Sequence, residues 1–124
     1  MNPPNLTCAV STHYLPEQSD ARQALYAFAY TITIRNDGPV AAQLIGRHWR
    51  ISDSSGRVQE VDGLGVIGQQ PLIRPGETYE YTSWAQLVSP NGRMEGRYDF
   101  VTEQAEWFQV PVPVFEMSLP QALH

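Results

Sequence analysis

The chain has 124 residues, 42% of them hydrophobic and 17% charged, with 13 acidic residues against 8 basic and a formal net charge of -5. That is enough chain for one domain that buries about two thirds of its unfolded surface. Every basic residue is an arginine and none forms a run, which argues against nucleic-acid binding, where several phosphate contacts are needed together.

Other exclusions follow from residue types. A single cysteine, Cys8, excludes an internal disulfide and a multi-cysteine metal cage. No stretch approaches the ~20 apolar residues of a membrane helix. The start, Met1-Asn2-Pro3-Pro4-Asn5, lacks a basic end followed by an apolar core, so no signal peptide is expected. The expectation is a cytoplasmic protein with one domain over 1–124, an ordered core over about 6–115 and a loose tail over 116–124.

Leu6–Tyr14 mixes Thr, Val and Tyr in partial alternation and reads as a strand. Leu15–Ala24 is polar and reads as a loop with one helical turn after Ser19. Tyr26–Asn36 carries the clearest pattern. Tyr26, Phe28, Tyr30, Ile32 and Ile34 share one parity, and Ala27, Ala29, Thr31, Thr33 and Arg35 take the other. Period two with aromatic and β-branched residues is a strand whose large side chains face a core. Asn36-Asp37-Gly38-Pro39 is a turn.

Ala42–Asp53 is a strand with an internal conflict. Ile45, Trp49 and Ile51 share a face with Arg47, while Leu44 takes the other parity. A bulge around Gly46 resolves it, with Trp49 inward and Arg47 at the rim or paired with a carboxylate. Arg57–Val61 follows as a short strand, then a loop over Gly63–Gly68, then Pro71-Leu72-Ile73. Arg74-Pro75-Gly76-Glu77 fits a type II turn. Thr78–Trp84 is a strand with Tyr79, Tyr81 and Ser83 on one face, followed by a loop over Ala85–Asn91. Arg93–Thr102 and Glu106–Phe115 pair as a hairpin through Glu103-Gln104-Ala105. Pro111 and Pro113 suit an edge strand, because proline donates nothing to a ladder and discourages further pairing. About eight short strands with turns every 8–12 residues and no convincing helix make an all-β sandwich, immunoglobulin-like or fibronectin III-like.

The chemistry-bearing residues are few. Gly63, Gly65 and Gly68 have the G-x-G-x-x-G spacing of a dinucleotide loop, but Gln69-Gln70-Pro71 opens no helix and no β-α-β unit surrounds it. The loop is therefore either a tight crossover needing positive φ or a nest of backbone amides that holds an anion without a helix. His48 lies near Asp53, Glu60 and Asp62, and His13 is far upstream, with no tight ligand spacing, so no metal is expected. Cys8 and Ser83 are nominal nucleophiles without a paired base or a nucleophile elbow. Most of the aromatic residues, Trp107 and Phe108 included, read as core. Trp84 is the exception by parity: either an exposed contact residue or a lid on one end of the sandwich.

Phe28-Ala29-Tyr30-Thr31-Ile32-Thr33-Ile34-Arg35-Asn36, Arg47-His48-Trp49, Gly63-Leu64-Gly65-Val66-Ile67-Gly68-Gln69-Gln70-Pro71, Pro75-Gly76-Glu77, Tyr81-Thr82-Ser83, Met94-Glu95-Gly96-Arg97-Tyr98 and Val110-Pro111-Val112-Pro113 together resemble the bacterial ApaG family. The resemblance covers about Leu6 to Phe115, with departures at Ala21 and Trp84. It implies a fibronectin III-like sandwich. It also implies a link to cobalt and magnesium resistance or efflux, a glycine loop suited to pyrophosphate or nucleotide, and, from similar eukaryotic domains, a protein-interaction module.

The expected function is a non-catalytic binding module with no cofactor. Its surface would combine Trp84 and His48 with Arg47, Arg50 and the glycine loop, and would engage an unidentified protein. The alternative is a small-anion or nucleotide binder in which Gly63, Gly65 and Gly68 act with Arg47 or Arg50. A homodimer is compatible with either reading.

Overall fold

The structure, a computed structural model, describes residues 4–120. The start at positions 1–3 and the tail end at 121–124 lie outside the described residues. Eight strands follow in order: β1 (Leu6–Tyr14), β2 (Tyr26–Asn36), β3 (Ala42–Asp53), β4 (Val58–Leu64), β5 (Leu72–Ile73), β6 (Thr78–Leu87), β7 (Asn91–Thr102) and β8 (Trp107–Ser118). All pair antiparallel, in a three-stranded sheet ordered β1-β2-β6 and a second sheet ordered β4-β3-β7-β8, with β5 also on β3. Two single 3₁₀ turns, Pro16–Gln18 and Ala21–Gln23, fill the polar stretch after β1. No helix among the described residues is long and apolar enough to cross a membrane.

The alternation in β2 decides the core. Phe28, Tyr30, Ile32 and Ile34 are buried, and they meet Tyr81, Ala85 and Leu87 of β6 and the inner face of the second sheet. Trp49 stands edge-on to Tyr30 at 5.8 Å and to Tyr98 at 5.8 Å, and close to Phe115 at 6.2 Å. Such aromatic pairs add about 0.5–1.5 kcal/mol each beyond the area they bury. The last inward position of β2 is polar. Asn36 donates to the carbonyls of Val40 and Ile73 at 2.9 Å each and accepts from the Gly38 amide at 2.9 Å, so its burial leaves nothing unpaired. It ties one end of the first sheet to β5 in the second.

Two bulges set which side chains face the core. The β3–β7 register slips between Leu44 and Gly46, so Ala42 and Leu44 point inward before Ile45, and Trp49 and Ile51 after it. This is the bulge expected around Gly46. The other was not expected. On β8, Pro113 and Val114 together oppose Glu95, which moves the inward set from Val110 and Val112 to Phe115 and Met117.

Other boundaries also differ from the sequence reading. β4 runs on through Gly63 to Leu64, because β3 continues to offer it partners as far as Gly46. β6 continues to Leu87, paired with β2 throughout, which places Trp84 inside a strand. The tail begins later than position 116: β8 extends to Ser118, and Met117 is fully buried. The Pro75-Gly76 turn is as expected, with Gly76 at φ +82° and the Glu77 amide donating to Arg74 at 2.9 Å.

Candidate functional site

The glycine stretch is built around Arg47. Gly63 pairs with Arg47 across β3 and β4, and a Cβ on Gly63 would lie 2.8 Å from Arg47 Nη1. Glycine leaves room for the guanidinium to lie over the strand. From there Arg47 Nη1 donates to the carbonyls of Leu64 and Gly65, both at 2.9 Å. Arg47 therefore holds two turn carbonyls through Nη1 and pairs with no carboxylate.

Beyond β4 the chain makes a closed turn. Gly65 has φ +63°, and a Cβ there would run into the Gln69 carbonyl. Its amide donates to Ile45 at 2.7 Å, and Val66 and Gln69 exchange two backbone bonds of 2.8 Å. Ile67 and Gly68 at the tip also have positive φ, 42° and 77°. Among the described residues of this turn, the Ile67 and Gly68 amides at the tip, and the Gln70 amide after it, have no acceptor within the chain. After Gln70 the chain passes into β5, so no helix follows the glycines.

On the outer face of the second sheet His48 is held from both sides. Its Nδ1 lies 2.6 Å from Asp62 Oδ1 on β4, and its Nε2 lies 2.6 Å from Asp99 Oδ2 on β7. Asp62 is directly across from His48. Asp99 is across from Gly46, whose missing side chain leaves space for the carboxylate, 3.4 Å from where a Cβ would sit. A neutral imidazole has one N–H, so two carboxylates at both nitrogens require the doubly protonated ring. The hydrogen bond to Asp99, then that to Asp62, push the His48 pKa up. Burial works against a charged Asp99, but hydrogen bonds from His48 and Gln109 outweigh it and hold Asp99 below the usual carboxylate range.

This cluster is built as a clasp between three strands. Both ring nitrogens are occupied, so His48 has no free lone pair to act as a base. The two carboxylates lie on opposite sides of the ring and do not converge. Among the described residues, no three His, Cys, Asp or Glu side chains are placed to hold a metal. Beside the clasp runs a shallow groove of about 620 Å³, lined by Arg50, Glu60, Glu95, Arg97 and Val114 among others. Arg50 sits in register between Glu60 and Glu95, so the groove favours neither sign of charge.

Neither nominal nucleophile is activated. Burial pushes the Cys8 thiol up to about 12, the opposite of what a reactive thiolate needs. Ser83 is in register with Tyr30 on the inner parity of β6.

Trp84 is exposed over 66% of its surface on the outer face of the first sheet. Its neighbours across the sheet are Ala29 and then His13, and the next row is Thr82, Thr31 and Ser11. The expected recognition residues therefore do not share one surface. Trp84 is on one outer face, His48 and Arg50 on the opposite one, and Arg47 with the glycines at the mouth between the sheets. Trp107, read as core, is also 63% exposed, because it takes the parity opposite to Phe108, Val110 and Val112. It begins a row with Val101, Gln43 and Leu72 on the second sheet's outer face.

A family model, the ApaG domain, matches residues 16–102. The chain belongs to the ApaG family. It is 56% identical over 119 residues to Protein ApaG of Ralstonia nicotianae, covering 96% of each chain. It is 56% identical over 115 residues to Protein ApaG of Nitrosospira multiformis, covering 93% of this chain and 91% of that one. The crystal structure of an ApaA protein from Bordetella pertussis superposes with a TM-score of 0.93 at 52% identity, covering 97% of this chain and 98% of that one. The sandwich described above is thus the architecture of the ApaG family.

Proposed function

We propose that this ApaG-family chain is a non-catalytic binding module that engages a partner protein through the outer face of the three-stranded sheet, with Trp84 as the anchor. The observation that carries the reading is an indole two-thirds exposed on the outer face of the edge strand β6, with no Asp, Glu or Arg directly beside it in the ladder. Around it stand Ala29, Thr31, Thr82 and Ser11, small side chains that let another surface approach closely. Interface centres are depleted in charge and enriched in tryptophan, and a central tryptophan is worth about 2 kcal/mol or more of binding. Trp107 is less suited, since it adjoins the hairpin turn with Glu103 and Glu106 in a chain already of charge -5.

Anion binding by the glycine turn is less well supported. The Gly65 amide is bonded to the Ile45 carbonyl and Arg47 Nη1 to the Leu64 and Gly65 carbonyls, so neither is left for a phosphate group. In the present reading, cobalt or magnesium resistance involves the chain at second hand, through the protein it contacts. We infer the cytoplasm as the compartment, on the single buried-side thiol and the reducing setting it suits.

The test is capture from a bacterial extract on immobilised wild-type chain, Trp84→Ala and Trp107→Ala, quantified by mass spectrometry. Proteins held by the wild type should be retained by Trp107→Ala and fall about 30-fold with Trp84→Ala. The same set on all three, or loss with Trp107→Ala alone, would overturn the assignment.

A further inference from the structure

The four long sheet edges are not treated alike. β1 is covered by β8, whose Glu116 carbonyl accepts from Thr12 Oγ1 at 3.4 Å. β8 itself, one edge of the second sheet, carries Pro111 and Pro113 and a bulge, each of which blocks further pairing. β4 is short and carries Glu60 and Asp62. β6 has none of these protections over Thr78 to Ala85, and only its end, at Gln86 and Leu87, lies beside Ile51 and Gln59 of the second sheet. It runs ten residues, Thr78–Leu87, with no proline and no bulge, and Glu80 is its single charge. As a strand it pairs only with β2.

The groups it leaves free can be named. The Asn36 amide donates to the Glu77 carbonyl at 3.0 Å, which marks those two residues as facing each other with hydrogen bonds. Bonded and non-bonded pairs alternate along an antiparallel ladder. Tyr79, Tyr81, Ser83 and Ala85 therefore turn their backbone groups toward β2. Thr78, Glu80, Thr82, Trp84 and Gln86 turn theirs outward. The short Thr31–Thr82 hydroxyl contact of 2.8 Å fits this, since side chains approach most closely in the non-bonded pairs.

We infer that β6 is a pairing edge for a second copy of this chain, joined antiparallel about a twofold axis at Thr82. In that register Thr82 faces Thr82 of the second copy, Glu80 faces Trp84, and Thr78 faces Gln86. Every outward-turned backbone group finds a partner, and no two like charges meet. A register centred on Glu80 would set carboxylate against carboxylate, which is unfavourable. Of the registers centred on an outward-turned residue, this one alone pairs all five of them, Thr78 to Gln86, within the strand. The two three-stranded sheets become one six-stranded sheet, and the Trp84 face stays open. The inference does not rest on the partner-protein reading above, because the edge pairs through its backbone.

One strand pair buries little surface, so the dimer is a weak one. Sedimentation equilibrium from about 10 μM to about 1 mM should show a reversible monomer–dimer equilibrium for the wild type. Thr82→Pro removes an outward amide that β2 does not use and should give a folded monomer throughout. Thr82→Glu places two carboxylates at the axis and should weaken dimerisation about fivefold. Trp84→Lys sets a lysine against Glu80 of the second copy at two symmetric places, and should strengthen it severalfold at low salt. Thr7→Glu, on β1 at the far side of the same sheet, should leave it unchanged. A wild type that stays monomeric to 1 mM overturns the proposal. So does a dimer that responds to neither Thr82→Glu nor Trp84→Lys while amide spectra show all variants folded.

Discussion

Replacing Asp62 or Asp99 by asparagine tests whether His48 fastens β4 to β3 and β7. The two carboxylates are not equal. The Asp62 side chain is 74% exposed, so its pair with His48 is worth about 0.2–1 kcal/mol. Asp99 and His48 are 28% and 27% exposed, so that hydrogen bond is worth more, about 1–2 kcal/mol after allowance for solvent screening. The sign with pH follows from the direction of each shift. His48 has a raised pKa in the fold, so its contribution is complete below its unfolded pKa, about 6.5, and is lost as pH rises through the folded value. Asp99 has a lowered pKa, so its contribution is present above the ordinary carboxylate range and lost as pH falls through its folded value. The gap between wild type and Asp99→Asn should therefore be widest between about pH 4 and pH 6.5 and narrow on both sides. Urea unfolding followed by tryptophan fluorescence across that range, with the His48 ring protons titrated by NMR, measures both halves. A gap that does not change with pH, or a His48 pKa at or below 6.5, would refute the clasp.

Two further substitutions probe the packing directly. Gly65→Ala should cost more than Gly68→Ala: both positions have positive φ, worth about 1–2 kcal/mol for a side chain, but only at Gly65 does the new Cβ meet the Gln69 carbonyl. Chemical denaturation of the two variants checks the order, and equal losses would contradict it. Tyr98→Phe strands the buried Tyr81 hydroxyl, now bonded to Tyr98 at 2.5 Å, and should cost about 1–3 kcal/mol. Adding Tyr81→Phe removes the stranded group, so the double variant should cost less than the two single losses added together.

Much of the fold is written in residue parity. β2 shows its buried face without help, and Leu44, on the parity opposite to Trp49 and Ile51, already pointed to a bulge beside Gly46. The bulge at Pro113 and Val114 left no such mark. A run of Val and Pro alternates whether or not a residue is inserted, and only the register against Glu95 exposes the shift. Exposure of Trp107 was legible and missed, since Phe108, Val110 and Val112 fix the inward parity of that strand.

The candidate site was harder to read because its contacts come from register and turn geometry. Asp99 reaches His48 from 51 residues away, across a strand pairing that no local spacing encodes. Arg47 finds two backbone carbonyls, and every residue has one, so no residue type announces them. The glycine spacing suggested phosphate, yet Gly63 makes room for an arginine and Gly65 for a carbonyl of its own turn. Parity set Trp84 apart from the core but left it either exposed or a lid, and the continuation of its strand to Leu87 decides for the exposed outer face of β6.

The most direct measurement is an amide and indole NMR titration of the labelled chain with a protein whose capture depends on Trp84. Changes confined to the Trp84 indole and to Ala29, Thr31 and Thr82 are expected. Changes that fall instead on Gly65 to Gln69, or on His48 and Arg50 across the sandwich, would contradict the flat-face assignment.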